Sequence, residues 1–404
     1  MPPPSATGDP FERARAAFGA GLQCQQAGAF ADAEAHYRES LRLLPGRAST
    51  LINLAATLLQ LARPDDALAS ADRALAVEPQ SVDALLHRAT ALAQLGRLPE
   101  ALVAFERLLA LDASQAAAWS LKGSLLREMQ RPAEAAAAFR EALRLGADPE
   151  LNAYYLAAVE AGRAAPAASP ARYVEDLFDR YADDFDRHLV GQLRYQGHRH
   201  LVDGLLALVP ERGGGDGFES ALDLGCGTGL CGPLVRPHAK RLAGVDLSAG
   251  MLEKARALGV YDRLERADAA RHLGETDARH DLLLAADVFI YIGDLQPVFE
   301  AAARVTVARG VFCFSVEVAD AAVAAEAGFA LQPSLRYAHS KAHLLRLAAQ
   351  HGFEPIDLQS APVRDDQQDA VAGLYVYLRR AAPRGGHGTH RDPRAFTPRS
   401  GSPP

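Results

Sequence analysis

The first part of the chain repeats itself at a fixed interval of 34 residues. Aligning the segments DAEAHYRESL, DALASADRAL, EALVAFERLL and EAAAAFREAL places four alanines in register, namely Ala33, Ala67, Ala101 and Ala135. A period of this length is typical of solenoids, in which each repeat is one unit of helices stacked on the next. The interval therefore predicts a row of antiparallel helix pairs.

Small and aromatic residues recur at matching places in these repeats. Twelve positions before the aligned alanines stand Gly21, Ala55, Ala89 and Gly123, and four positions after them stand Tyr37, Ala71, Phe105 and Phe139. We expect the small residues to lie where the two helix backbones of a repeat cross, and the aromatic ring to fill the gap to the next pair. We expect a further helix, from Pro149 to Ala161, to cap the stack. A plain alanine-rich bundle is the alternative, and the constant interval disfavours it.

This pattern resembles the tetratricopeptide repeat and covers about Phe11 to Ala147. The resemblance implies a helical array over residues 11–161, with a concave face that holds a peptide or a protein partner. Some arrays only mediate self-association, so the ligand class stays open. Residues 162–170 are small, contain prolines and lack periodicity, which predicts a linker. Residues 381–404 lack the apolar content to fold, and we expect them to be disordered.

Composition narrows the class of protein. The net charge of −7 gives no reason to expect a nucleic-acid partner, which calls for basic patches. No apolar run approaches the ~18 residues of a membrane span, and the first ten residues do not read as a signal peptide. The four cysteines have no metal-ligand spacing, and no group of His, Cys and carboxylates has it either. We therefore expect a cytoplasmic protein with free thiols and no metal.

The hydrophobic pattern of the sequence changes from Phe218 onward. The short apolar runs ESALDL, RLAGVDL, HDLLLAADV, GVFCFSVEV and GLYVYLRR alternate with amphipathic stretches, among them Met251 to Leu258, Leu295 to Ala308 and Lys341 to His351. Strands that alternate with helices predict a Rossmann-like, doubly wound parallel sheet. Such sheets bind ligands at the carboxyl ends of their strands. We assign residues 171–380 to this domain.

The first of these strands runs into a turn with glycines at three alternate positions. The turn reads Asp223-Leu224-Gly225-Cys226-Gly227-Thr228-Gly229, and Asp246 follows 21 residues after Gly225 at the end of the next strand. Glycines let a backbone turn sharply and come close to a ligand. An acid at the tip of the second strand is placed to hold both hydroxyls of a ribose.

Charge separates two ligands that this turn could bind. A dinucleotide fold has the spacing G-x-G-x-x-G and sets a helix N-terminus against a pyrophosphate. This chain has G-x-G-x-G behind an acid, and Asp223 would repel a phosphate. S-adenosylmethionine carries an ammonium and a sulfonium and has no phosphate, so we predict S-adenosyl-L-methionine as the cofactor.

Residues 171–380 resemble a class I S-adenosylmethionine-dependent methyltransferase (methyltransferase type 11/12-like), of the kind that carries tetratricopeptide repeats upstream. The resemblance implies that the glycine turn, Cys226 included, cradles the methionine and ribose of the cofactor. It further implies that Asp246 binds the ribose and that Leu247 lies against the adenine. The acid of Asp268-Ala269 matches the position that meets the adenine amino group, and Asp287 matches the position beside the transferring methyl.

Two further residues are weaker candidates. The segment Tyr173 to Asp186 is similar to the helix that precedes the core in this family, which places Tyr181 where an aromatic residue closes the site. The alternative is an amphipathic helix that only packs on the sheet. His339, between the fifth strand and its following helix, is the best candidate for a general base. The alternative is that His339 or Ser340 caps the helix that begins near Lys341.

The leading hypothesis is an active methyltransferase (EC 2.1.1.-) that acts on a small molecule, or on a peptide or protein that the repeats deliver. Enzymes that methylate planar amino groups typically carry an Asn/Asp-Pro-Pro-aromatic stretch after the fourth strand, whereas this chain has Asp287-Val-Phe-Ile-Tyr291 there. This weakens the base- and glutamine-methylating alternatives. A second hypothesis is a non-catalytic adaptor whose methyltransferase fold binds the cofactor without turnover.

Overall fold

The structure is a computed structural model, and it describes residues 9–160, 163–181, 195–210, 217–319, 327–366 and 369–382. The chain divides into two compact units. The first consists of Met1–Leu177, Ile290–Asp294 and Ala319–Ser340, and the second of Phe178–Phe289, Leu295–Val318 and Lys341–Pro404. Within the described residues, no helix combines the length and the apolar character that a membrane span requires.

The repeats form paired helices, as the 34-residue interval predicts. Their bounds are α1 Pro10–Gln26, α2 Phe30–Leu43, α3 Ala48–Gln60, α4 Pro64–Val77, α5 Val82–Gln94, α6 Leu98–Leu111, α7 Ala116–Glu128 and α8 Pro132–Arg144, followed by α9 Pro149–Val159. Five of these helices, α1, α4, α6, α8 and α9, begin with proline in the first two positions, where its missing N–H costs nothing. The predicted array and its final helix are therefore confirmed.

In the first and fourth repeats the aromatic ring packs against the small residue of its own helix pair, whereas the sequence pattern predicts it in the gap to the next pair. A Cβ added at Gly21 would come within 2.6 Å of the ring of Tyr37, and one added at Gly123 within 2.5 Å of the ring of Phe139. Both rings are fully buried. Because the glycine leaves room for the ring, the two helices of a repeat approach closely enough to bury it.

A hairpin from far along the chain belongs to the same unit as the repeats. Strands β6 (Phe329–Leu331) and β7 (Tyr337–His339) pair antiparallel. Tyr154 of α9 donates a hydrogen bond to the carbonyl oxygen of Leu335, and Arg127 of α7 donates one to that of Pro333 across 3.0 Å. The apolar side chains of Tyr154, Leu335 and Tyr337 share one buried cluster. The hairpin thus packs on the last helices of the array, and the sequence analysis did not predict it.

The stretch predicted as a linker forms ordered contacts where it is described. The N–H of Ser169 donates to the carbonyl oxygen of Tyr291 across 2.8 Å, and Ala168 forms an isolated bridge with Ile292. The hydroxyl of Tyr337 donates to the carbonyl oxygen of Pro166, also across 2.8 Å. These bonds lie within the first unit, so part of this stretch is fixed in place. Separability of residues 171–380 stays a prediction.

The second unit is built around a sheet. Its strands are β1 Ala221–Leu224, β2 Leu242–Asp246, β3 Arg263–Arg266, β4 His280–Ala285, β5 Thr306–Val318, β8 Phe353–Asp366 and β9 Asp369–Arg380. Its helices include α11 Gly197–Leu208 and those at Gly232–Val235, Ala249–Ala257, Ala269–Glu275, Gln296–Val305 and Lys341–Gln350, while α10 covers Ala171–Tyr181.

The strand order is β3-β2-β1-β4-β5, with all four pairings parallel, and β9 and then β8 follow antiparallel. This confirms the predicted Rossmann-like class, in which β1, β2 and β4 end at one edge. The predicted helix from Leu295 to Ala308 is too long: it stops at Val305, and β5 begins at Thr306. The backbone of Thr306 is already extended, with φ −83° and ψ 127°, and the run Val305-Thr306-Val307 is β-branched, which favours a strand.

Candidate cofactor site

The glycine turn follows β1 directly. Gly225, Gly227 and Gly229 all have positive φ, at 61°, 55° and 92°. A Cβ on Gly225 would come within 2.5 Å of the Val288 side chain, whereas one on Gly227 would meet no heavy atom within 4 Å. Gly225 is therefore required for packing against the segment after β4. Gly227 is required by its backbone conformation, and it lies at an open part of the turn.

Asp246 at the end of β2 is bonded to this turn. Its Oδ2 accepts a hydrogen bond from the backbone N–H of Gly227 across 2.8 Å. Its Oδ1 accepts one from the N–H of Ser248 across 2.9 Å. Burial raises the pKa of Asp246, and these backbone donors act in the opposite direction. Each carboxylate oxygen keeps a further lone pair, so Asp246 can hold the turn and still accept from a ligand.

Ser248 connects the same strand end to helix α10. Its hydroxyl donates to Asp179 of α10 and also caps the helix Ala249–Ala257, by accepting from the N–H of Met251 across 3.1 Å. Sequence reasoning placed α10 near the cofactor through its aromatic residues and missed Asp179. The sequence signal for this contact is Ser248, a short polar residue two positions after Asp246.

Asp223 is a carboxylate in the interior of the site. It is 2% exposed, and its Oδ2 accepts a hydrogen bond from the hydroxyl of Tyr261 across 2.7 Å. Burial, with a further contribution from the negative charge of Asp246, raises the pKa of Asp223 to about 7, and the Tyr261 hydrogen bond opposes the rise. A cationic ligand at this position would favour the ionised form.

The remaining adenine-side candidates lie at the ends of β2 and β3. Asp268 caps the helix Ala269–Glu275, accepting from the N–H of Arg271 across 2.8 Å, and Ala269 is buried in the first turn of that helix. Leu247 is partly exposed, and its carbonyl oxygen accepts from Arg266. Capping uses one lone pair of Oδ1 of Asp268, so its carboxylate can still accept a hydrogen bond from a ligand.

Asp287, after β4, belongs to a buried charged cluster. It has a positive φ of 62°, and its N–H donates to the hydroxyl of Ser315 across 2.8 Å. Its Oδ2 lies 3.7 Å from Nη1 of Arg364, whose Nη2 donates to the buried Glu317. Among the described residues, Oδ1 of Asp287 and both Nε and Nη1 of Arg364 have no hydrogen-bond partner. Sequence reasoning found Asp287 and missed Arg364 and Glu317, because β8 was not predicted.

The structure describes the side chain of His339, whereas that of Tyr181 lies outside the described residues. His339 is the last residue of β7 and is fully buried, with its ring near that of Phe329. It lies in a strand and not in the open loop that the sequence predicts. Tyr181 ends α10, and its side chain lies outside the described residues, as does the rest of the predicted segment to Asp186. Both roles stay predictions.

Comparisons with known proteins bear on both halves of the chain. A methyltransferase domain family matches residues 222–314, which include most of β1, the glycine turn, Asp246 and Asp287. A tetratricopeptide repeat family matches residues 52–115 and 100–152. The chain carries a methyltransferase domain behind tetratricopeptide repeats.

Two curated relatives share parts of the methyltransferase half. Human methyltransferase-like protein 27 is 43% identical over 89 residues, which are 22% of this chain and 35% of the relative. Malonyl-[acyl-carrier protein] O-methyltransferase of Serratia marcescens is 34% identical over 150 residues, 35% of this chain and 51% of the relative. The chain thus spans between about a third and a half of the curated relatives it matches.

Solved structures resemble each half separately. The magnesium protoporphyrin IX methyltransferase of Synechocystis PCC 6803 with bound S-adenosylmethionine is 18% identical, with a TM-score of 0.40, and the match covers 52% of this chain and 97% of that one. The MamA protein is 21% identical, with a TM-score of 0.34, and the match covers 36% and 80%.

S-adenosylmethionine is the cofactor of this methyltransferase domain, and the residues present fit it. Two carboxylates, Asp223 and Asp246, border a turn whose open glycine, Gly227, has no Cβ to obstruct a ligand. Acidic groups suit the ammonium and sulfonium of this cofactor and disfavour a phosphate-bearing one. Among the described residues, no group of three or more His, Cys, Asp or Glu is arranged to hold a metal ion.

Proposed function

We propose that this chain transfers the methyl group of S-adenosylmethionine to an acceptor that the repeats help to present. The observation that carries the proposal is the convergence of Asp223, Asp246 and Asp287 at the carboxyl ends of β1, β2 and β4, around the turn 225–229. Three acids at one edge of a parallel sheet favour a cationic ligand at the place where this fold binds its ligands.

Each of the site residues binds a different part of the cofactor. Asp246 binds the ribose hydroxyls through lone pairs that Gly227 and Ser248 leave available, and Leu247 contacts the adenine. The oxygen of Asp268 that does not cap its helix accepts from the adenine amino group. Asp223 and the backbone of Gly225, Cys226, Gly227 and Gly229 hold the methionine part. The bonds from Gly227 and Ser248 to Asp246 fix the carboxylate before the ligand arrives, which lowers the entropic cost of binding.

When bound, the cofactor supplies a methyl group on a sulfonium that is already a good leaving group, so the chain contributes mainly alignment and exclusion of water. Asp287 lies beside the reacting centre, and Oδ1 of its carboxylate can accept a hydrogen bond from an N–H or O–H of the acceptor. Arg364, held by Glu317, fixes the other oxygen of Asp287. His339 remains the candidate general base for an acceptor that must lose a proton.

The acceptor is a small molecule, or a peptide or protein segment that docks on the repeats. The relative from Serratia marcescens is an O-methyltransferase by name, and an oxygen acceptor agrees with the absence of the proline pair after Asp287. The adaptor hypothesis differs in one observable respect. An adaptor binds S-adenosylmethionine and never releases S-adenosylhomocysteine.

The test takes the full chain through two measurements. Calorimetric titration with S-adenosylmethionine, S-adenosylhomocysteine and NAD should give binding of the first two and no binding of NAD. Incubation with tritiated methyl donor and cell extract should then label a discrete product, which Asp287→Ala reduces strongly. NAD binding more tightly than S-adenosylmethionine would overturn the cofactor assignment. Binding without any labelled product across extracts would favour the adaptor.

A further inference from the structure

One aromatic ring lies against three glycines of the cofactor half. A Cβ added at Gly229, Gly232 or Gly244 would come within 3.1, 2.8 or 3.0 Å of the ring of Tyr261. Gly229 ends the glycine turn, Gly232 begins the short helix behind it, and Gly244 lies in the middle of β2. The three glycines make room for a large ring directly behind the turn.

The hydroxyl of the same residue reaches Asp223. It donates to Oδ2 across 2.7 Å, so Tyr261 joins the turn, β2 and the innermost carboxylate of the site. Burial, and then the negative charge of Asp223, raise the pKa of Tyr261 well above its ordinary value. The hydroxyl therefore keeps its proton and acts as a donor near neutral pH.

We propose that Tyr261 is a positioning residue for the cofactor: its ring supports the glycine turn, and its hydroxyl holds Asp223 ionised and oriented for the cofactor's ammonium. The inference rests on the proposed function, because it takes Asp223 and the turn to be cofactor-binding. Tyr261 itself need not contact the cofactor, since its hydrogen bond ends on the carboxylate that does.

The other groups that face Asp223 do not stabilise its charge. Asp246 is a like charge, and it raises the pKa of Asp223. The thiols of Cys226, Cys231 and Cys313 interact with the same carboxylate, and burial raises the pKa of each of them, so they stay neutral. Among the groups that act on the pKa of Asp223, Tyr261 is the one that lowers it. Removing its hydroxyl should therefore change the protonation of Asp223 and not merely its position.

The variant Tyr261→Phe keeps the ring and removes the donor. A hydrogen bond to a charged group corresponds to about one pKa unit, so at about pH 6.5 the variant should bind S-adenosylmethionine roughly tenfold more weakly than the natural protein. At about pH 9, where Asp223 is ionised in both proteins, the ratio of affinities should fall to about two. The amino group of the ligand titrates near pH 8 in both measurements and cancels in the ratio.

Two controls separate this role from a structural one. Tyr377→Phe removes another buried hydroxyl of the same unit, one that donates to the carbonyl oxygen of His200, and should leave the affinity unchanged at every pH. In the Asp223→Asn background, Tyr261→Phe should give no pH-dependent change. An equal affinity for Tyr261→Phe and the natural protein at about pH 6.5, or an equal loss at both pH values, would overturn the proposal.

The outcome remains interpretable if Tyr261→Phe does not fold. Asp223→Asn alone should then remove the rise in affinity between about pH 6 and 8, relative to the natural protein. A rise of the same size in Asp223→Asn would overturn the role of an ionised Asp223. Failure of the natural chain to bind S-adenosylmethionine at any pH is a different result, and it would contradict the proposed function itself.

Discussion

The carboxylate of Asp246 accepts a hydrogen bond from the backbone N–H of Gly227 across 2.8 Å, so the acid that ends β2 holds the turn that follows β1. A second bond, from the N–H of Ser248, fixes its other oxygen. The acid is thus oriented by the protein before any ligand is present. Its removal affects the cofactor through both the lost ribose contact and the released turn.

Asp246→Ala should reduce the affinity for S-adenosylmethionine by about ten- to a hundredfold, because hydrogen bonds to a charged group contribute ~1.5–3 kcal/mol. Titration calorimetry of the folded variant measures this. Asp262→Ala is the matched control: this acid also accepts from a backbone N–H, that of Leu242, but its side chain pairs with Arg236 outside the site. An unchanged affinity in Asp246→Ala would remove the ribose assignment.

Asp287 should distinguish the cofactor from its product. S-adenosylmethionine carries a positive sulfonium and S-adenosylhomocysteine does not, so a carboxylate beside the reacting centre favours only the first. Asp287→Asn should lower the ratio of their affinities several-fold. Asp268→Asn, on the adenine side, should change both affinities alike. If the ratio in Asp287→Asn equals that of the natural protein, Asp287 does not lie beside the sulfonium.

Much of the fold could be predicted because its signals are local or periodic. The repeat interval alone specifies the helix pairs, and the apolar runs mark β1, β2, β4, β5 and β9. Two strands of the sheet carried no such signal. The residues of β3 are Arg-Leu-Glu-Arg and largely exposed, while β8 contains Pro355 and Pro362, each beside a register shift. Among the described strands β8 pairs with β9 alone, which makes it an edge strand, and prolines are tolerated on such an edge.

The site residues that belong to a short sequence motif could be predicted. The contacts between residues far apart in the sequence could not. The glycine turn, Asp223 and Asp246 follow from their spacing. Tyr261 is 38 residues from Asp223, and Arg364 is 47 residues from Glu317, so their contacts depend on the assembled sheet. His339 illustrates the converse, because its place after the fifth strand suggested an open loop and the chain instead folds it into β7.

The small positions of the repeats provide a direct test of their packing. Gly123→Ala places a methyl group 2.5 Å from the ring of Phe139, which is fully buried and cannot yield freely. The free energy of unfolding should fall by ~1–3 kcal/mol. Gly19→Ala is the control, since a Cβ there meets nothing within 4 Å and alanine favours the helix. Thermal unfolding should show a lower midpoint for the first variant and an equal or higher one for the second.

Asp223 should make the stability of the ligand-free chain depend on pH. Its pKa is raised to about 7 in the folded state by burial, and in the unfolded chain it is close to 4. Its contribution to stability is therefore fully present below about pH 4 and is lost as the pH rises to about 7, a change of the order of a few kcal/mol. His280, whose pKa burial lowers to about 4, acts in the opposite direction. The contribution of Asp223 is therefore measured as the difference in the free energy of unfolding between the natural protein and Asp223→Asn.

Urea unfolding of the natural protein and of Asp223→Asn at about pH 5 and pH 8 isolates this contribution. The advantage of Asp223→Asn should be larger at pH 8, because the asparagine never buries a charge. A constant difference at the two pH values would mean that Asp223 titrates near its ordinary pKa. Added S-adenosylmethionine should reverse the order of stability at pH 8, since binding favours the natural carboxylate.

The hairpin β6–β7 should depend on the last helix of the repeats for its stability. The Tyr154 hydroxyl bonds both the carbonyl oxygen of Leu335 and the hydroxyl of Ser169. Tyr154→Phe leaves a buried carbonyl without this donor, at a cost of ~1–3 kcal/mol. Trypsin should therefore cleave after Arg336 faster in this variant, as mass spectrometry of the early fragments would show. Tyr37→Phe, which removes a hydroxyl bonded to Gln25 in the first repeat, is the control and should not change that cleavage rate. If both variants are cut after Arg336 at the natural rate, Tyr154 does not stabilise the hairpin.

Residues 171–380 expressed alone test the same dependence, because that fragment keeps Leu335 and Tyr337 and lacks Tyr154, which shares their buried cluster. Its hairpin should be cleaved fastest of all, even where the rest of the fragment is folded.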